Sequence, residues 1–454
     1  MPRHSVAVAA VLTALSASPL VGQVPPSGFD PRLDSIARAP SAARMATDIA
    51  TLVGFGTRNT LSDTLSDSRG IGAARRWIHD QFERISAECG GCLEVRYVRQ
   101  LLRGGSGPRI PHDVEVVSVI AIQWGTTHPD RWVIMSGDID SRISSVTNAT
   151  GDSPGANDNA SGMAGTIEAA RVLSGYRWGK TIVYAGLAGE EQGLLGGEAL
   201  AAQLVDSGRV VEAVLNNDMI GNIAGINGRV DNRRFRIFSE AVSVGESEAD
   251  RQARRAYGGE VDGPSRQLAR YVDRLTREYL PELDPKMIYR LDRFGRGGHH
   301  RPFNDRGMPG VRIMEANEHY DRQHQDLRTE NDRQYGDVIE FVDFDYAARL
   351  TGVNALVLAS LAGAPPPPAR VRLRGAVSAS TTVNWEEPGS DDVAGYRVYW
   401  RETIAPQWTW SRFVPVGTGS LTLDGVIIDD HLFGVASVGR GGSESVVQFP
   451  VFGR

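Results

Sequence analysis

Acidic residues recur in this chain where apolar runs end, and they come in company that suggests chemistry. Asp138 and Asp140 lie in Gly-Asp-Ile-Asp-Ser, Asp158 in Pro-Gly-Ala-Asn-Asp-Asn-Ala-Ser-Gly, Glu190 and Glu191 in Gly-Glu-Glu-Gln-Gly, and Asp218 in Asn-Asn-Asp-Met. Gathered at one place, these carboxylates would repel one another strongly unless cations neutralised them, so the economical expectation is a divalent-metal site. Imidazoles that could complete such a site are His299, His300, His319 and His324. Adjacent acids are most often surface residues. Here Gly189 precedes Glu190-Glu191 and Gly193 follows, directly after an apolar run, which argues for a turn at a site. One glutamate can then hold a cation while its neighbour stays unliganded to move protons.

The elements that must position these groups are strands. The segments 131–135, 181–187 and 211–215 read as buried strands, each ending on its acidic motif. Strands alternating with helices imply an α/β fold with a mixed, largely parallel sheet flanked by helices, and ligands bind at the carboxyl ends of such strands. Asp158 sits where a small-residue loop opens into a helix, so it is a held carboxylate; plain helix capping is the simpler alternative. Further strands are expected over 93–101, 114–124 and 310–314, and helices over 265–279 and 344–361. The Arg-rich, Gly-punctuated stretch 222–298 shows weak periodicity and reads as an insertion shaping a substrate entrance.

Residues 1–22 have a basic start, an apolar middle and a small-residue end, the pattern of a signal peptide for export to the periplasm or medium. The domain carrying the acids is then 23–363, followed by the proline linker 364–369 and a module over 370–454 built of short alternating strands, with Trp385 on one and Tyr396 and Tyr399 on the next. That module fits a small all-β sandwich and resembles a fibronectin type III domain. Cys89 and Cys92 are the only cysteines and are expected to close a local disulfide in an exported protein. A net charge of −6 with dispersed basic residues gives no reason to expect a nucleic-acid partner, and no stretch is suited to span a membrane in the mature chain.

The acidic motifs, in this order and together with Gln323-His324-Gln325, resemble the M28 family of co-catalytic zinc peptidases, which includes secreted aminopeptidases, glutamate carboxypeptidases and related glutaminyl cyclases. The resemblance implies a zinc aminopeptidase-like fold over about residues 45–362. It implies that Asp158 bridges two metals, that Glu191 and His324 complete one shell, that Asp138 and Asp218 serve the other, and that Glu190 is the general base for a metal-activated water. The family's pattern at 138–140 is His-x-Asp, whereas this chain has Asp138 and Asp140, so the pair that normally orients a ligand becomes a repelling one. An all-oxygen second site should favour a harder ion such as manganese over zinc. Gln323 stands where many relatives carry a tyrosine that helps hold the oxyanion, and His300 is a candidate pocket residue. The expected function is a secreted metal-dependent exopeptidase, an aminopeptidase acting on peptides or small N-terminal amines. The alternatives are a single-zinc glutaminyl-cyclase-like enzyme, or a non-catalytic protein whose C-terminal module binds a surface, polymer or protein.

Overall fold

The computed structural model describes residues 28–450; the expected signal peptide lies outside them. Its strands in chain order are β1 (Glu94–Leu102), β2 (Val114–Gln123), β3 (His128–Asp138), β4 (Lys180–Leu187), β5 (Val210–Asn217), β6 (Arg234–Ser239), β7 (Asp284–Ile288) and β8 (Gly310–Glu315). They form one sheet in the order β1-β2-β4-β3-β5-β8-β6-β7. The four central strands β4, β3, β5 and β8 run parallel, while β1, β2 and the β6–β7 pair join antiparallel to their neighbours. Every residue of β4 is buried, as expected of a strand covered by helices on both faces. One face packs on the helices Gly162–Leu173 and Phe344–Gly363, through Ile167, Leu173, Leu356 and Leu361. The other packs on the helix Leu195–Asp206, through Leu200, Ala201 and Leu204.

In the parallel register Gly137 lies beside both Gly186 and Asn217, and Asn217 beside Ile313. The chain therefore leaves β3, β4, β5 and β8 at one level, and each acidic motif begins on that edge. Gly137 also admits the helix that starts at Gly162: a Cβ on Gly137 would lie 2.5 Å from the Gly162 carbonyl carbon, well inside contact distance. The two glycines let the loop carrying Asp158 sit against the end of β3.

The segment 222–298 differs from its sequence reading. It supplies β6, β7 and the helix Pro264–Tyr279 to the sheet and its cover, so it belongs to the fold's core. Its periodicity is masked because arginines take buried positions: Arg266 and Arg270 lie within that helix at 0% and 1% exposure. Cys89 and Cys92 are disulfide-bonded. The helix Phe344–Gly363 begins at Asp343, whose carboxylate caps the Tyr346 N–H at 2.8 Å, and stops before the proline run. Much of that run is buried, with the Pro365 carbonyl accepting from Lys180 Nζ.

Beyond it, β11 (Ala369–Arg374), β12 (Thr381–Glu386) and β15 (Ser420–Leu423) form one antiparallel sheet; β13 (Val393–Glu402), β14 (Trp410–Pro415) and β16 (His431–Gly439) form another. A short hairpin, β9 (Arg328–Glu330) with β10 (Arg333–Tyr335), lies before the final helix of the first domain. The two C-terminal sheets enclose Val383, Trp385, Tyr396, Val398 and Phe433. They dock on the helix Pro264–Tyr279 through Asp262, which receives Arg270 at 2.7 Å and Arg401 at 2.8 Å, all at 1% side-chain exposure. Among the described residues no helix is long and apolar enough to cross a membrane.

Candidate active site

Asp158 lies in the wide turn Ala156–Ser161, where the backbone leaves helical geometry before the regular helix begins at Gly162. Its N–H donates to Asp337 Oδ2 at 2.6 Å, and Asp337 also receives the Asn157 N–H at 2.9 Å. Arg58, 1% exposed, donates to the carbonyls of Ile139, Leu52, Pro154 and Gly155 and so ties the Asp158 loop to the segment after β3. Glu190 and Glu191 follow β4 across a turn in which Gly189 takes φ +74°. Asp140 accepts both of their backbone N–H groups, at 3.1 and 3.0 Å, and the Thr60 hydroxyl as well. Asp140 thus fixes the glutamate turn rather than orienting residue 138.

His324 comes from a loop far along the chain, and its Nε2 lies 2.9 Å from Asp158 Oδ2 and 3.0 Å from Glu191 Oε1. Among the described residues this is the one group of His, Cys, Asp or Glu whose ligand atoms, at least three of them, all lie within 4.8 Å of one another. The two contacts of His324 are close to the ~3.3 Å edge of a tetrahedron built on zinc–ligand bonds of ~2.0 Å. Two carboxylates and one imidazole therefore fit a divalent ion with a position left open. Gln323 donates to Asp158 Oδ2 at 3.1 Å while its own oxygen accepts from Arg296 at 3.0 Å, so the amide steadies a ligand carboxylate. Burial works against an ionised Asp158, but the hydrogen bond and charge of His324, with help from Gln323, outweigh it and hold the carboxyl below its usual range. Burial also opposes a charged His324, yet the Glu191 charge and the hydrogen bonds to both carboxylates raise it to about 9.

Glu190 is adjacent and differently placed. Burial, then the charges of Glu191, Asp218, Asp138 and Asp158, push its carboxyl well above the ordinary value. Among the described residues no side-chain donor holds it, so it can accept and release a proton.

The remaining acids are paired elsewhere. Asp138 Oδ1 lies 2.6 Å from His299 Nδ1, and its Oδ2 accepts from Asn159 at 2.7 Å. Asp218 Oδ2 lies 2.7 Å from Arg312 Nη2. His300, expected in the pocket, is fully buried and turns its Nε2 to the Leu291 carbonyl at 2.9 Å. Sequence reasoning weighed His299 only as a possible metal ligand and passed over Arg312, Asp337 and Arg58. A visible signal existed for Arg312, a charge inside the apolar run Gly310–Met314, and for His299 in its tandem with His300. A cavity of about 660 Å³ lies at the opposite ends of β3 and β5, beside the C-terminal sheets, and none of these acids lines it.

A fold with this edge, and a carboxylate–imidazole cluster beside a free glutamate, defines the class of metal-assisted hydrolases. Residues 118–342 match the model of Peptidase family M28. The chain is 42% identical over 415 residues to a probable zinc metalloprotease of Leptosphaeria maculans, covering 90% of this chain and 94% of that one. It is 40% identical over 428 residues to a probable zinc metalloprotease of Pyrenophora tritici-repentis, covering 94% and 88%. Among solved structures, the LapA aminopeptidase of Legionella pneumophila superposes with a TM-score of 0.54 at 17% identity, over 78% of each chain. LapB of the same organism gives 0.52 at 16%, over 73% and 75%. The chain belongs to peptidase family M28.

Proposed function

We propose that the chain is an exported zinc-dependent exopeptidase of the aminopeptidase type, with Asp158, Glu191 and His324 as the metal ligands and Glu190 as the general base. The observation that carries this reading is the approach of His324 Nε2 to within 3.0 Å of both ligand carboxylates, beside an unheld glutamate. A zinc ion bound there supplies Lewis acidity toward the scissile carbonyl and makes water a stronger acid. Glu190 takes the proton from the attacking water and passes it to the departing amine, a task suited by the upward shift of its carboxyl. Asp140 holds the glutamate turn in place, and Asp337 and Gln323 hold Asp158.

Aminopeptidase specificity is supported by the charge around the site. Arg293 and Arg296, which could have taken a substrate carboxylate, are engaged by Glu318 at 3.1 and 3.3 Å, leaving neither free to select a carboxylate. Export is supported by the leader-like residues 1–22 and by the Cys89–Cys92 disulfide, which suits an oxidising compartment. The two C-terminal sheets, with Trp385 packed on Tyr396 at 5.3 Å between ring centroids, support a fibronectin type III-like module that presents the enzyme to a surface, polymer or protein.

The test is hydrolysis of aminoacyl reporter amides by the metal-loaded protein, and its loss on chelation. A folded protein that binds zinc and hydrolyses none of these amides overturns the reading. Because only one such cluster is formed among the described residues, a single-zinc glutaminyl-cyclase-like activity is a second reading. Release of a pyroglutamyl product from a peptide beginning with glutamine would select it.

A further inference from the structure

We infer that the guanidinium of Arg312 takes the place of a second metal ion, so that the acidic edge of this sheet is neutralised by one exchangeable ion and one cation built into the chain. This rests on the reading of Asp158, Glu191 and His324 as the metal ligands and adds to it what becomes of the other two acids.

Strand β8 places Arg312 beside Asn216, two residues before Asp218. The side chain is fully buried and is used at both ends of its fork. Nη2 meets Asp218 Oδ2 at 2.7 Å and the Asp218 carbonyl at 3.2 Å. Nη1 donates to the Gly297 carbonyl at 2.8 Å and to both oxygens of Asp292 at 3.2 Å. Burial opposes Asp292 ionisation, but Arg312 first, then His300 and Arg293, hold it below the usual range, so it is the carboxylate that anchors the guanidinium from behind. An arginine in this setting does not lose its proton. An ion coordinated by the same Asp218 oxygen would lie a few ångströms from that fixed positive charge, in an interior that screens poorly.

Asp138 is no better disposed. His299 meets one of its oxygens and Asn159 the other. Asn159 is itself pinned, with its amide N–H₂ also donating to the Asn217 carbonyl at 2.7 Å and its oxygen accepting from the Gly162 N–H at 3.0 Å. Asp218 Oδ1 and His299 Nε2 have no hydrogen-bond partner, but Asp218 Oδ2 and both oxygens of Asp138 have partners that cannot leave without stranding buried polar groups. Among the described residues the two free atoms join no group of three ligand atoms close enough for one ion, so the residues at this second position do not fit a metal.

Metal stoichiometry, independent of turnover, tests this. The full chain, stripped with a chelator and reloaded with Zn²⁺, is desalted and measured by elemental analysis, and titrated calorimetrically. One tight equivalent per chain is expected. Two retained equivalents overturn the inference while leaving the three-residue centre intact; no retained ion overturns the centre itself and this inference with it. Asp218→Asn keeps the shape of the side chain and leaves Arg312 paired with Asp292. It should still bind one equivalent, with affinity lowered less than tenfold, whereas a loss of a hundredfold or more would make Asp218 a ligand and overturn the assignment. Mn²⁺ loaded in place of Zn²⁺ should give the EPR signal of an isolated ion in both proteins, and a spin-coupled pair would count against it.

Discussion

The acids at the carboxyl edge of the sheet fall into two groups that differ in what neutralises them. Asp158 and Glu191 face His324, which is 24% exposed on a loop, and their partner can be exchanged for an ion arriving from solvent. Asp138 and Asp218 face His299 and Arg312, both at 0% exposure; Arg312 is a cation tied into the fold by further bonds, while burial lowers His299 to about 4 and leaves it a neutral partner. The two groups sit on the same sheet level and are both pairs of carboxylates. The number of metals such a rim can bind is therefore not read from the number of acids. It depends on whether the countercharge is part of the chain or must come from outside it.

The comparison breaks most completely at His324. His324→Ala should abolish retention of zinc after desalting and bring amide hydrolysis to background, while leaving the far group untouched. Next in size, Glu190→Gln should lower kcat by roughly 10²–10⁴-fold with the zinc content unchanged, because the proton carrier is lost and the ligands are not. Arg312→Met tests the other group. It leaves Asp218 and Asp292 buried without their cation and should cost about 3–5 kcal/mol of stability in a urea melt. A melt unchanged within error would mean that the rim does not depend on Arg312.

Much of this edge was legible in the sequence because an apolar run that stops on an acid marks both a buried strand and its functional end. The same pattern marks β3, β4 and β5 and their acids in the sequence. His324 was legible through its neighbours, since Gln323-His324-Gln325 carries the resemblance even though a lone histidine carries little. The pairing was not legible. His299 and His300 are adjacent in sequence and both fully buried, and only the backbone path decides that one meets Asp138 while the other meets Leu291 and Asp292. Arg312 and Asp292 are separated by a loop without periodicity, so nothing local links them. Gln323 stands where many relatives carry an oxyanion-holding tyrosine, and the structure has it donate to Asp158 with Arg296 behind it. β6 and β7 were hidden because their segment spends its arginines in the interior, against the usual association of charge with surface.

Two smaller effects sharpen the contrast. Gln323→Ala removes a donor to Asp158 and frees Arg296, and should weaken zinc binding by about 10–100-fold, with little change in the kcat of the fully loaded protein. Per pH unit, the smallest effect follows from the charge on His324. In the metal-free protein the imidazole is raised from 6.5 to about 9, so over that range it is protonated between the two carboxylates and competes with zinc for the same place. Zinc affinity should therefore rise about tenfold per pH unit up to about 9 and level off above it, as one proton ceases to be displaced. The metal-free fold should respond in the opposite sense. Because the folded pKa is raised, the stabilisation from His324 is complete below its unfolded value of 6.5 and is lost as pH rises through about 9. Calorimetric titrations across that window, beside melts of the chelated protein, would give these two slopes with opposite signs, and a zinc affinity independent of pH would remove His324 from the centre.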